Sequence, residues 1–532
     1  MDNIYSERQR ILSENTVNDN TSDFTTKYFA VCHLQTMSHT TPEMIVPSTI
    51  SALEKLLKSP GFTGQRRGFF LFRQAAETLR LIIIHSEKKA IAGMAFSALR
   101  NTLGATNNHA HRTTAEALGS LPFSLPGPEV ETIRINRLPR VSWQKLLDEK
   151  GIKISSPPSF VGRSFVAPLD QKDRVAVFKL ARAGDAPEEL AKETFWMEYL
   201  RSGGYSFPEP FHIPAPIKVN DAYVFRLQGI TGKPAGSMEL HPKRYAIGFI
   251  ASKHYFTYPN HSANPEQCAD DMAFKEIMFR NARILGELTA LGIVHSAPIP
   301  LFHNRVQRER RRDRGLYEWF RAGRLDRWLA SCDYPNLAPT GIRDFEHLTT
   351  FRGEADRNLY RHVGTHFLSL LLVSGSYFRN KNKERVGLDP DGKPVDARDL
   401  FDEHLMKEII QGIFFSYYRG FTGTDFTGEF PLDPDKLTAR MIEEMGVDRY
   451  MEEILRWPDQ NEMTDAEFRH FLQERGYSRE EIRGFRKGGR DIVIYTGPHL
   501  GGFNERISLP ELIESVETMS ALCIAGRYWR EA

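Results

Sequence analysis

The chain has 532 residues, of which 41% are hydrophobic and 26% charged, and carries a formal net charge of +2. That length allows about two to four domains, and so even a balance gives no global reason to expect a nucleic acid or an acidic membrane surface as partner. Its four cysteines, Cys32, Cys268, Cys332 and Cys523, are scattered, with no CxxC pair and no metal-ligand spacing, which suits reduced thiols in a cytosol and argues against a disulfide framework.

The opening stretch, MDNIYSERQRILSENTVNDNTSD, is polar and holds no apolar core of signal-peptide length. The most apolar run, LRLIIIH, falls well short of the ~20 residues a membrane span needs, so the expected location is the cytoplasm. Residues 1–45 lack periodicity and are rich in Asn, Thr and Ser, the composition of a mobile tail. Over 46–125 the pattern becomes helical: ISALEKLLK, FRQAAETLRLIII, AIAGMAFSALRNTL and HRTTAEALGSL carry Ala and Leu at i, i+3, i+4 spacing. Two helical hairpins of about 40 residues each suggest a HEAT-like stack; a plain helical bundle fits the same pattern. Either would be a docking or capping module, for the segment shows no chemistry.

LPFSLPGPEVE reads as a Pro-rich linker. A domain over 140–430 follows. Its first part, to about residue 245, holds the strand-like stretches FVGRSFVAPLD, RVAVFKLA and AYVFRLQGI, and its second part is mainly helical, led by ADDMAFKEIMFRNARILGELTALGI. The remaining segment, 431–532, is helical with one strand-like insert, DIVIYTG. The expected class is therefore α+β, a two-lobed unit ordered as in a protein kinase, between a helical N-terminal domain and a helical C-terminal region.

Candidate chemistry follows the same order. RVAVFKLA sets Lys179 at the end of an alternating apolar strand, where kinases place their phosphate-binding lysine; a strand-end lysine in solvent is the plainer reading. Fourteen residues on, Glu193 lies on the helix EELAKETFWMEYL and, facing inward, would pair with Lys179. FVGRSFV is too poor in glycine to cradle phosphates by backbone N–H groups alone, so Arg163 is the candidate for that charge, unless it is a surface hairpin arginine. GIVHSAPIPLFHN has the outline of a kinase catalytic loop, with His295 in place but Ala297 where the catalytic aspartate belongs. CDYPNLAPTGIRDFEHL carries Asn336 and Asp344, oxygen donors that suit Mg²⁺ bridging the phosphates of ATP. An Asp-Phe dipeptide is common; the order of all six residues along the chain is what gives it weight.

In these motifs and their spacing the chain resembles the SidJ-type pseudokinases, bacterial proteins that use a kinase fold for protein glutamylation. The resemblance covers roughly residues 155–385 and leaves out the N-terminal helices. It implies a Lys179–Glu193 pair, an Asn336–Asp344 metal pair, and a second, migrated nucleotide pocket. That pocket would draw on His295, Arg324 in AGRLDRW and Tyr334, with Tyr317 and Asn380 as looser matches. It also implies ATP and Mg²⁺ as cofactors, and a protein substrate and free glutamate as partners. Two features depart from the pattern. IIQGIFFSYYRG has Phe415 where an IQ motif needs arginine, so calmodulin is not implied, and after Asp344 the nearest further metal carboxylate is Glu346.

The missing base points to a carboxylate acceptor, since a glutamate side chain with a pKa of about 4.3 is already ionised at neutral pH. Such a group can attack the α-phosphate of ATP and leave an acyl-adenylate for the amine of free glutamate. The six arginines of NRVQRERRRDRG would attract the anionic reactants, or form a solvated helix face. The competing expectations are an AMP transferase, an atypical kinase using His303 or Glu346 as base, and an inactive nucleotide-binding scaffold.

Overall fold

The computed structural model of the chain describes residues 2–60, 66–103, 108–129, 140–141, 159–161, 164–170, 173–180, 188–208, 210–219, 224–228, 234–239, 246–260, 270–299, 335–354, 357–381, 402–427, 463–474 and 509–531, with short pieces between 433 and 495. The first 118 residues supply six α-helices among the described residues: α1 (Asp2–Asn18), α2 (Phe24–Thr40), α3 (Pro47–Leu57), α4 (Arg66–His85), α5 (Lys89–Thr102) and α6 (Asn108–Leu118). The mobile tail expected over 1–45 is replaced by α1 and α2, and the reason is tertiary. Arg10 and Glu14 bond each other, and Glu14 accepts from the hydroxyls of Ser48 and Thr49 on α3. Arg10, Glu14 and Thr49 are thus paired and buried. Asp23 caps α2 by accepting from the N–H of Thr26, and Val31, Leu34 and Met37 join Leu53, Phe72, Leu79 and Leu99 in one apolar cluster.

The stretch read as a linker also has structure. Leu121, Phe123 and Leu125 are buried, and β1 (Ser124–Pro126) pairs antiparallel with a strand at Arg352–Glu354. Next comes a six-stranded sheet of β2 (Arg140–Val141), β3 (Ser159–Val161), β4 (Ser164–Pro168), β5 (Arg174–Leu180), β6 (Ile217–Val219) and β9 (Ala246–Ser252), in the order β2-β6-β9-β5-β4-β3. All neighbours are antiparallel except β2 and β6. The strands β7 (Val224–Gln228) and β8 (Pro234–Glu239) form a separate pair. In β5 the side chains of Val175, Val177 and Lys179 share one face, and α7 (Glu188–Ser202) contributes Leu190, Trp196 and Leu200 to the cluster that holds both valines. Lys179, between Ser164 and Ile247 in register, therefore lies on a face already committed to the core.

The helical part is built on α8 (Asp271–Ala290), α9 (Arg357–Lys381) and α10 (Glu403–Thr422). α8 and α10 cross with backbones in contact: a Cβ added at Gly286 would stand 2.4 Å from the Tyr417 carbonyl oxygen, and one at Gly420 would stand 2.3 Å from that of Arg283. The stretch IIQGIFFSYYRG lies in α10, with Ile409, Ile410, Ile413, Phe414 and Tyr417 in the core. Beyond α11 (Asp465–Glu474), the closing helix α12 (Leu509–Glu531) touches both apolar clusters. The whole is an α+β arrangement of helices with small, mainly antiparallel sheets. Among the described residues no helix is long and apolar enough to cross a membrane.

Candidate active site

Four short strands follow α8: β10 (Ile293–His295), β11 (Leu337–Ala338), β12 (Gly341–Ile342) and β13 (Leu348–Thr350), with β10 paired to β13 and β11 to β12; the stretch 335–350 carries Asp344. It brings Asp344 to Lys179. The Lys179 ammonium lies 2.6 Å from Glu193 Oε1 and 2.9 Å from Asp344 Oδ1. Lys179 is 1% exposed and Glu193 0%, whereas the Asp344 side chain keeps 24% of its surface open. One buried cation thus holds two carboxylates from a helix and a loop, 14 and 165 residues away in sequence. Buried charges of this kind persist only when paired.

Asp344 has φ 56° and ψ 58°, and among the described residues it is the one non-glycine residue in the left-handed region. Such a conformation costs about 1–2 kcal/mol and endures where its surroundings impose it. Its carbonyl accepts from the N–H of His347 at 3.0 Å. Asn336 is buried, its Nδ2 donating to the Ala297 carbonyl at 2.9 Å and its N–H to that of Pro298 at 2.7 Å. Those bonds assign the amide nitrogen and so the orientation of its oxygen.

His295 is buried with both ring nitrogens engaged by backbone. The Ala297 N–H donates to Nδ1 at 3.2 Å, and Nε2 donates to the Arg343 carbonyl at 2.8 Å. Its own carbonyl accepts from His366 Nε2 at 3.0 Å. A nucleotide contact through this ring would require one of these bonds to open. Ala297, two residues on, is fully enclosed. Glu346 lies on the turn Phe345–His347, with Oε1 3.3 Å from His347 Nε2. Of the other candidates, Arg163, His303, Tyr317, Arg324 and Tyr334, and the side chain of Asn380 on α9, lie outside the described residues.

Two residues that sequence reading passed over adjoin the cluster. Burial raises the Tyr255 phenol well above its usual pKa, and the charges of Lys179, Glu193, Asp344 and Arg343 act on it. Among the described residues neither Tyr255 Oη nor Glu193 Oε2 has a hydrogen-bond partner. Arg343 is buried beside Asp344. A lone tyrosine and an arginine next to an acid form no pattern of spacing, so no sequence signal marks them. Among the described residues no three His, Cys, Asp or Glu side chains gather as a metal cluster; Asp344 and Asn336 offer one carboxylate and one amide oxygen, both hard donors, and the Lys179, Glu193 and Asp344 charges sum to −1.

Fold and site together define a class: an α+β protein whose buried lysine joins a helix glutamate to a loop aspartate beside an asparagine. No family model matches the chain. An alignment over 201 residues that covers 34% of this chain is 25% identical to the calmodulin-dependent glutamylase SidJ of Legionella pneumophila. The match spans 22% of that protein's length, about a fifth, so the similarity is that of a distantly related chain.

Proposed function

We propose that this chain is an ATP-dependent protein glutamylase on a kinase-like, pseudokinase fold, whose catalytic unit takes in the sheet and α7 to α10. The observation that carries the reading is the Lys179–Glu193–Asp344 cluster, assembled while Ala297 stands where a hydroxyl-activating base would be. The similarity to a glutamylase supports the same chemistry. In the first step an acceptor glutamate carboxylate attacks the α-phosphorus of ATP. The bond from that phosphorus to the α–β bridging oxygen breaks, pyrophosphate leaves with the electron pair, and an acyl-adenylate forms. Lys179, oriented by Glu193, and Arg163 stabilise the departing charge. Asn336 and Asp344 would hold Mg²⁺, which when bound would supply positive charge against the phosphates. In the second step the amine of free glutamate attacks the acyl carbon, AMP leaves, the amine loses a proton and an isopeptide bond results. Arg324, Tyr334, Tyr317 and Asn380 bind the AMP portion during this step, and His295 acts through the loop that it holds. The helices α3 to α6, stacked in a HEAT-like manner, dock the protein substrate.

The test is mass spectrometry of the chain and of co-incubated lysate proteins after exposure to ATP, Mg²⁺ and glutamate. A glutamyl increment is expected, lost in Lys179→Ala. Arg324→Ala is expected to release pyrophosphate yet add no glutamate. An adenylyl increment alone in the unaltered chain would favour AMP transfer, a phosphoryl increment would make it a kinase, and no increment with any acceptor would overturn the enzymatic reading.

A further inference from the structure

We infer that Arg343 is a positioning residue that fixes Asn336 and Asp344 relative to each other, by tying their loop to the turn at residues 253–258. The inference rests on the reading of Asn336 and Asp344 as the metal pair. Arg343 is 2% exposed. Its Nη1 donates to the Tyr255 carbonyl at 3.0 Å, and its Nη2 donates to the Pro335 carbonyl, immediately before Asn336. The guanidinium lies 4.2 Å from the centroid of the Tyr258 ring and 5.8 Å from that of Phe256. The backbone completes the clamp: the Arg343 N–H donates to the Asn336 carbonyl at 3.1 Å, and its own carbonyl accepts from His295.

One residue therefore engages two successive carbonyls, at Pro335 and Asn336, and is itself the peptide neighbour of Asp344. The left-handed conformation of Asp344 starts from a backbone held in place on its N-terminal side. Only a planar fork can serve the Tyr255 and Pro335 carbonyls and lie over the Tyr258 ring at once; a lysine ammonium supplies a point charge and no plane. Groups that orient metal ligands in this way change metal affinity by about 10- to 100-fold when removed.

The test uses the full chain with Arg343→Lys and Arg343→Met, and reads two quantities. Amide hydrogen exchange is followed over 335–347, with α8 as internal control, and Mn²⁺·ATP binding is followed by the Mn²⁺ resonance signal, beside ATP binding in chelator. The expected result in Arg343→Lys is exchange about tenfold or more faster over 335–347 with α8 unchanged, and Mn²⁺·ATP affinity about tenfold or more weaker, with metal-free ATP binding kept. Arg343→Met should show the same pattern more strongly. Unchanged exchange over 335–347, or wild-type Mn²⁺·ATP affinity in both variants, would overturn the proposal, as would α8 exchange rising in step in Arg343→Lys. An unaltered chain that binds no Mn²⁺·ATP would remove the metal reading, and the exchange result would then decide the clamp alone.

Discussion

Lys179 neutralises two carboxylates of different standing, one sealed and one part open, and removing the lysine strands the sealed one. Lys179→Met should destabilise the fold by about 3–5 kcal/mol, because Glu193 would remain as an uncompensated buried charge. Adding Glu193→Leu should recover much of that loss, as apolar pairs of matched volume often replace buried ion pairs without cost. Urea unfolding of the two single variants and the double measures this directly, and a double variant as unstable as the sum of the singles would refute it. His366 sets a pH dependence of its own. Burial, reinforced by the neighbouring His362 and His295, holds its pKa well below the usual value. The folded chain therefore keeps this imidazole neutral while the unfolded chain takes up a proton below about pH 6.5. Its contribution is complete above that pH and declines as the medium is acidified towards the folded-state pKa, by at most about 1.4 kcal/mol per pH unit. Melting temperatures at pH 7.5 and pH 5.5 should fall further apart in the unaltered chain than in His366→Gln.

At the scale of elements, the contact between α8 and α10 depends on hydrogen atoms standing where methyl groups would otherwise be. Alanine in place of a helical glycine is normally stabilising by about 1 kcal/mol. At Gly286 and Gly420 the sign should reverse, since the added carbon would meet backbone oxygen on the opposing helix and backbone cannot rotate away. Each substitution is expected to cost about 1–3 kcal/mol, the usual penalty of overpacking, in chemical denaturation. A gain in stability from either would mean that the helices can separate freely. The same contact explains why the isoleucines of IIQGIFFSYYRG face inward. α10 runs from its cap at Asp402, which accepts from Leu405 N–H, to the left-handed Gly423, and its apolar side lies against α8 and α9.

Across the molecule α12 links parts that lie far apart in sequence. Val516, Met519, Leu522 and Cys523 belong to the cluster around α8 to α10, while Ala521 and Ala525 belong to that of α1 to α6. Thr518 Oγ1 lies 3.2 Å from His111 Nε2, and Trp529 stacks on Phe96 at 4.9 Å. Ending the chain before Leu509 should uncover apolar surface on α6, α9 and α10 together. Limited proteolysis of such a truncation is expected to cut in both the N-terminal helices and α9, at sites protected in the full chain. Cleavage confined to the first 118 residues would instead show two units of independent stability.

The inward place of Glu193 was not legible in the sequence, since α7 is buried on most of its sides; the Ala and Leu spacing of α4 to α6 and the alternation of β5 up to Lys179 were. Each depends on which side of a local element is apolar, and a period of two or 3.6 residues records that within a dozen positions. The approach of Asp344 to Lys179 was not legible, for the sequence suggested only a Lys179–Glu193 pair and an Asn336–Asp344 pair. The helices α1 and α2 were hidden because their polar residues read as solvated until α3 supplied Ser48 and Thr49 to Glu14. Arg343 was hidden for the same reason: its partner carbonyl at Tyr255 lies 88 residues away. His295 was singled out from its loop, but the direction of its ring follows from β10 pairing with β13 and from the carbonyl that Arg343 presents to it. Periodicity states which face of an element is buried; the partner of a buried polar group is chosen by chain closure over long separations, and local sequence carries no record of that choice.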